Sequence, residues 1–240
     1  MATSPSSGVR RRAPPERVEV DFFTDPLCPW SWAMAPLAAT LREDPALAFR
    51  SVMAGWLPSP ARKGNDAAKQ EWRDAAAKTG ARIEVSYWDE PAPQTSLVAG
   101  AAVKAAEFQG SSKAEAYLAQ VREAAFGRGE DVSSFDILVR VAERTELKAE
   151  VFRTDLGVGR YTVNDLFEAL SNPIPVSEAM SEFGRRKMLR SWDAVAADVT
   201  NAERLGMSPP SFRVVHGKKD ATLHGFVTEA QIRDAIRRVS

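Results

Sequence analysis

What this 240-residue chain most visibly lacks is a second cysteine, since Cys28 is its only one. No disulfide can close within the chain, and nothing in its cysteine usage points to an oxidising compartment, so a cytoplasmic location is expected. Histidine is nearly as scarce. His216 and His224 are the only two, neither stands at ligand spacing from a cysteine or an acidic pair, and no metal site is expected. Both read as surface residues. Net charge is absent too: 32 Lys+Arg balance 32 Asp+Glu, which gives no electrostatic reason to expect nucleic acid or a membrane as partner. No apolar run approaches the roughly 18 residues of a membrane-spanning helix. The first 16 residues, MATSPSSGVRRRAPPE, lack the apolar stretch of a secretory signal. They read as a disordered leader, with a faint likeness in Ser and Arg content to an organelle transit peptide.

What is present is hydrophobic residue in quantity, 44% of the chain, enough for one large or two small cores. Arg17 to Thr24 (RVEVDFFT) is β-branched and aromatic and ends at the turn signal Asp25-Pro26, the pattern of a strand. Trp30, Ala33, Met34, Leu37 and Ala38 then recur at helical spacing. Pro29 suits the first turn of that helix, where its missing N–H costs nothing, and Pro36 is expected to kink it. Ala46 to Ala54 (ALAFRSVMA) reads as a second strand. Strand, helix and strand in succession make a βαβ unit, so the sheet is expected to begin parallel.

From about Asp66 to Leu205 the pattern is mostly helical. Leu97, Ala101, Ala105 and Phe108 share one face, as do Tyr117, Leu118, Val121, Ala125 and Phe126. Ser133 with Asp136 forms a capping-box pattern, and Ser191 is placed to cap the helix carrying Trp192, Val195, Val199 and Ala202. Leu156 to Arg160 and Asn172-Pro173-Ile174-Pro175 divide the helices. Strand character returns in Ser211 to His216, the turn 217–220 and Ala221 to Val227, a β-hairpin. Thr228 with Gln231 caps a last helix. The layout is βαβ, a helical block, then ββα: a disordered leader over 1–16, an α/β domain over 17–60 and 206–240, and an all-helical insertion over 61–205.

Cys28 heads the first helix. A helix N-terminus carries partial positive charge and free N–H groups, so a lowered thiol pKa and a reactive thiolate are expected there. The alternative is a small buried hydrophobe, as many lone cysteines are. The run Asp25-Pro26-Leu27-Cys28-Pro29-Trp30-Ser31-Trp32 resembles the thioredoxin-like DsbA family, whose usual site is C-x-x-C. It is similar also to the related glutathione transferase kappa and 2-hydroxychromene-2-carboxylate isomerase group, with motif S-P-Y-S-W, in which the first serine activates glutathione. Cys28 occupies that position, and Ser31 and Trp32 match the rest. The resemblance extends over about Val18 to Val239 and implies a thioredoxin-like fold. It also implies a small-molecule thiol, glutathione or another of low molecular weight, or a protein disulfide as substrate.

Two departures qualify what the resemblance implies. Ser31 stands where a dithiol enzyme has its second cysteine, so no resolving thiol can expel a mixed-disulfide partner. Monothiol exchange, conjugation or isomerisation remains open to Cys28. Ser31 itself either donates a hydrogen bond to the thiolate or is an ordinary first-turn polar residue. The second departure lies in Gly206-Met207-Ser208-Pro209-Pro210-Ser211-Phe212, which resembles the family's cis-proline loop, with Pro210 as the best match. The family binds substrate through the N–H of the preceding residue, which here is Pro209 and has none. Either Pro209 is the cis residue, preceded by Ser208, or one substrate hydrogen bond is missing. Both departures suit a rival reading, a redox-inactive thioredoxin-like adaptor or partner-binding protein, and the family includes protease adaptors.

The remaining candidates carry weaker patterns. Trp30 and Trp32, two apart on a helix, point in different directions; one is expected to line the substrate cleft and the other to pack in the core. Trp56 follows the second strand and either contacts a ligand or packs. Arg185, Arg186, Lys187 and Arg190 form a basic cluster, a solvated face or a contact for a glutathione carboxylate. Tyr87-Trp88-Asp89-Glu90 is an aromatic and acidic patch to which the sequence assigns no role.

Overall fold

Seven residues of alternating and β-branched character, Val18–Thr24, form β1, and every residue in it but Glu19 is buried. The computed structural model describes residues 17–55, 65–89, 95–171 and 173–240, so the leader 1–16 and Trp56 lie outside the described residues. Helices α1 (Pro29–Ala33) and α2 (Ala35–Glu43) lead to β2, Leu47–Met53. The expected single kinked helix is thus two helices, hinged at Met34. Pro36 has no N–H to continue the ladder, and the second helix starts one residue before it.

β1 pairs in parallel with β2, from Val18↔Leu47 to Thr24↔Met53. Its other edge pairs antiparallel with β3 (Ser211–His216), and β3 with β4 (Lys219–His224), giving the order β2-β1-β3-β4. The hairpin turn is tighter than expected. Its loop is two residues, Gly217 at φ 59° and Lys218, so Lys219 already pairs with His216. Strand β4 ends at His224, before Gly225 (φ 74°), whose N–H donates to the Pro210 carbonyl. Helix α11 (Glu229–Val239) closes the chain with the expected capping box between Thr228 and Gln231.

Between β2 and β3 run α3 (Asp66–Thr79), a 3-10 turn (Val85–Trp88), α4 (Leu97–Glu107), α5 (Ser111–Arg122), a π-turn (Glu123–Gly127), α6 (Phe135–Glu143), α7 (Ala149–Leu156), α8 (Val163–Leu170), α9 (Val176–Lys187) and α10 (Arg190–Leu205). Helix α4 is buried on every side rather than on one face: all ten residues from Leu97 to Ala106 are inside. Its Ala and Gly residues allow that, and Gly100 lies 3.4 Å, at its missing Cβ, from Val195 of α10. Phe108, expected on the same inner face, is 37% exposed beyond the helix end.

Two expected caps are absent. Ser133 binds back to Asp131 through both its N–H and its hydroxyl, a local turn that competes with capping, and α6 begins from Ser134. Ser191 lies inside α10, whose cap residue is Leu189, and its hydroxyl donates to the Asp155 carbonyl.

Both sheet faces are covered. On one, Val20, Phe22, Leu47, Phe212 and Val214 pack with Leu41 of α2 and Ile232 of α11; on the other, Phe23 and Val52 meet Ala202 of α10 and Met207. One buried ion pair ties the helical run to the sheet. Lys104 of α4 meets Asp198 of α10 at 2.8 Å, and the same carboxylate accepts the Met53 N–H of β2 at 2.9 Å. Removing one partner of such a pair strands the other charge. Asp198→Ala is expected to cost about 3–5 kcal/mol in urea unfolding; a loss within experimental error would show that the pair contributes nothing.

Candidate functional site

Strand β1 stops at Thr24, and the next four residues turn the chain across its end into α1. Asp25 makes the turn: its Oδ1 accepts the Leu27 N–H at 2.6 Å and its carbonyl accepts the Cys28 N–H at 3.3 Å. Cys28 is the N-cap of α1, and its Sγ accepts the Ser31 backbone N–H at 3.4 Å. The sulfur therefore fills the role that a serine or aspartate oxygen usually takes at a helix start. Ser31 is fully buried, and it lowers the thiol pKa through its side chain as well as through its backbone N–H.

The thiol opens on a cleft of about 400 Å³ lined by Asp25, Cys28, Pro29, Gly55, Glu71, Trp72, Trp88, Ser96 and Pro209 among others. That volume is in the range of small-molecule sites. Of the residues singled out in the sequence, Cys28, Pro29 and Pro209 meet in this cleft. The peptide bond Pro209-Pro210 is cis, which makes Pro210 the cis residue and leaves Pro209, facing the thiol, without an N–H. Pro210 is buried behind it and Ser208 is exposed. Trp32 packs away from the cleft, stacked on Phe126 with ring centres 5.8 Å apart. Trp30 is half-buried, edge-on to the exposed Phe226. Arg185, Arg186, Lys187 and Arg190 lie at the α9–α10 junction, away from the cleft, where Arg190 covers the Phe108 ring at 3.9 Å.

Burial dominates the electrostatics here. It pushes the Cys28 thiol up to about 11; Ser31 works against the rise, the nearby Asp25 adds to it, and Arg122 opposes it. The direction is opposite to the lowered thiol pKa expected at a helix start, because loss of hydration is the largest influence on the group. Asp25 is raised for the same first reason, burial, with Ser96, Leu27, Arg122 and the Cys28 N–H opposing.

The residues that organise this site most are ones the sequence pattern passed over. Asp25 reads there as a turn signal only. Gly55 lies so near it that an added Cβ would stand 2.3 Å from Asp25 Cβ. Trp88, in the patch without an assigned role, lines the cleft and meets Trp72 edge-on at 5.5 Å. Arg122, at the end of α5, sends its guanidinium to the Thr24 hydroxyl and to the Asp25 carbonyl at 3.3 Å. The signal available for it was a lone arginine on an apolar helix face, beside Val121, just before the π-turn. Such turns recur at functional sites.

A four-stranded mixed sheet, a cysteine capping its first helix and a cis-proline loop before the third strand together define a thioredoxin-fold protein. The chain belongs to the thioredoxin family: the family profile, described as thioredoxin, matches residues 22–167, more than half of the chain. The ClpXP adapter protein SpxH of Bacillus subtilis is 28% identical over 148 residues, 60% of this chain and 50% of that one. The chain thus spans about half the length of the curated relatives it matches. Among solved structures, a Nitrosomonas europaea protein with a provisional disulfide-isomerase name superposes with TM-score 0.68 at 17% identity, covering 93% of this chain and 97% of its own. The cytosolic disulfide reductase DsbM of Pseudomonas aeruginosa, solved with GSH, gives 0.61 at 21% identity, with 91% and 93% covered. These structures share the fold.

Two outcomes test the site. Alkylation of Cys28 by iodoacetamide is expected to quicken about tenfold per pH unit above neutrality, because only the thiolate reacts, and to level off only near 11. A plateau at the ordinary thiol value would show that burial does not govern the group. Gly55→Ala, which forces Asp25 aside, is expected to lose about 1–3 kcal/mol in urea; an unchanged midpoint would mean that Asp25 moves freely.

Proposed function

We propose that the protein is a single-thiol enzyme of thiol–disulfide exchange, with Cys28 as nucleophile. The observation that supports this best is the placement of the chain's only thiol at the head of α1, open to a small-molecule cleft that Pro209 also lines. In the reaction, the Cys28 thiolate attacks one sulfur of a disulfide, forms a mixed disulfide and expels the other half as a thiolate. An outside thiol then attacks the mixed disulfide, leaves with the retained half and restores Cys28. Each cycle exchanges one thiol for another with no net oxidation. The thiol proton leaves to the open cleft before the attack, and the expelled thiolate recovers one from water.

Glutathione or another low-molecular-weight thiol is the proposed co-substrate, since the cleft suits a small molecule and a structurally similar disulfide reductase was solved with GSH. Transfer or isomerisation through the same thiol is the nearest variant. Without an N–H, Pro209 cannot hold the backbone of a bound thiol, so weak binding of glutathione is expected.

A second reading, a partner-binding adaptor, draws on the name of the SpxH relatives and on the thiol's elevated pKa. The two separate on one experiment. Mixed with glutathione disulfide, the full chain is expected to gain one glutathionyl adduct by mass, and Cys28→Ser none. Ser31→Cys, which supplies a resolving thiol, is expected to shed the adduct without added thiol. If no adduct forms and the Cys28→Ser variant matches wild type in every exchange assay, the enzyme reading fails and the adaptor reading stands.

A further inference from the structure

Arg122 is a charge buried without an ion pair. The residue is 3% exposed, and its hydrogen bonds go to uncharged oxygens, the Thr24 hydroxyl and the Asp25 carbonyl. Its Nε has no partner at all. The other buried cation among the described residues, Lys104, is held by two carboxylates, Glu107 and Asp198. Glu115, the nearest acid on Arg122's own helix, is engaged by Arg42 at 2.6 Å. An isolated buried charge is costly, and proteins keep one where an anion belongs.

The geometry says where that anion forms. One carbonyl, that of Asp25, accepts both the Arg122 guanidinium and the Cys28 N–H, each at 3.3 Å. The guanidinium and the cysteine N–H therefore share one acceptor oxygen.

We infer that Arg122 is the counter-cation of the Cys28 thiolate, a positioning residue carried by the helical run that makes an anion tolerable in a buried site. The inference rests on Cys28 being the reactive group of the proposed function, but not on its substrate. Two charged groups act on the cysteine, Asp25 from the β1–α1 turn and Arg122 from α5, and Glu71 of α3 lines the same cleft. The Ser31 hydrogen bonds and Arg122 lower the thiol pKa and Asp25 raises it, and Arg122 is the one cation among them. Burial lowers the Arg122 pKa only to about 10, which leaves it charged at neutral pH.

The test is the pH dependence of Cys28 alkylation in the full chain, with circular dichroism as the check on folding. Arg122→Met is expected to slow alkylation by iodoacetamide at pH 7 about tenfold or more, the loss that follows from one unit in thiol pKa. Arg122→Lys is expected to recover part of it. A purely structural arginine would leave the profile in place once the variant had folded, and a folded Arg122→Met with the wild-type profile overturns the inference. Should that variant not fold, the wild-type protein supplies the answer. A cation beside the thiolate favours anionic iodoacetate over neutral iodoacetamide, so the ratio of the two rates is expected to exceed that of free cysteine. A ratio at or below the free value overturns the inference. Either alkylation result stands apart from glutathionylation, so failure of the exchange reaction and failure of the arginine's role are read separately.

Discussion

The cost of burying charge governs the end of β1, and the site follows from how that cost is met. Thr24, Asp25 and Cys28 lie where the central strand runs out, under α5 and beside α3, with little water to share. A carboxyl, a thiol and a guanidinium in that volume cannot each take the charge they would carry in solution. Burial drives the two acids toward their neutral forms, while the guanidinium keeps its proton. The resting site is thus a protonated thiol beside a fixed positive charge, and its reactivity depends on how easily the proton leaves.

That condition explains how the fold can host either thiol chemistry or binding alone. A second thiol would give Cys28 a partner within the chain, and an N–H at position 209 would give a substrate backbone something to hold. Ser31 and Pro209 remove both. What remains is a cleft walled by Trp72, Trp88 and Pro29 with one sulfur at its head.

Much of the architecture was legible along the chain because it is written in local periodicity. The β-branched run at Val18–Thr24, proline in the first turn after Cys28 and the Thr228–Gln231 capping box each act within a few residues, and each stands as read. The misreadings were local as well, and each has a competitor. Asp131 took the Ser133 hydroxyl away from a capping role, the Asp155 carbonyl took that of Ser191, and a two-residue turn at Gly217 set the hairpin register earlier than composition suggested.

The sequence by itself determined the thioredoxin-like layout, the single thiol at a helix start and the proline pair ahead of the third strand, since each depends on residue type and spacing, while which proline is cis was decided by the fold. Tertiary structure alone decided the state of that thiol. Its pKa depends on how much water the surrounding helices exclude and on a guanidinium from a residue 97 positions away from Asp25. Neither desolvation nor a contact of that range leaves a periodic trace in the chain, because both arise only when α3, α5 and the end of β1 are packed together.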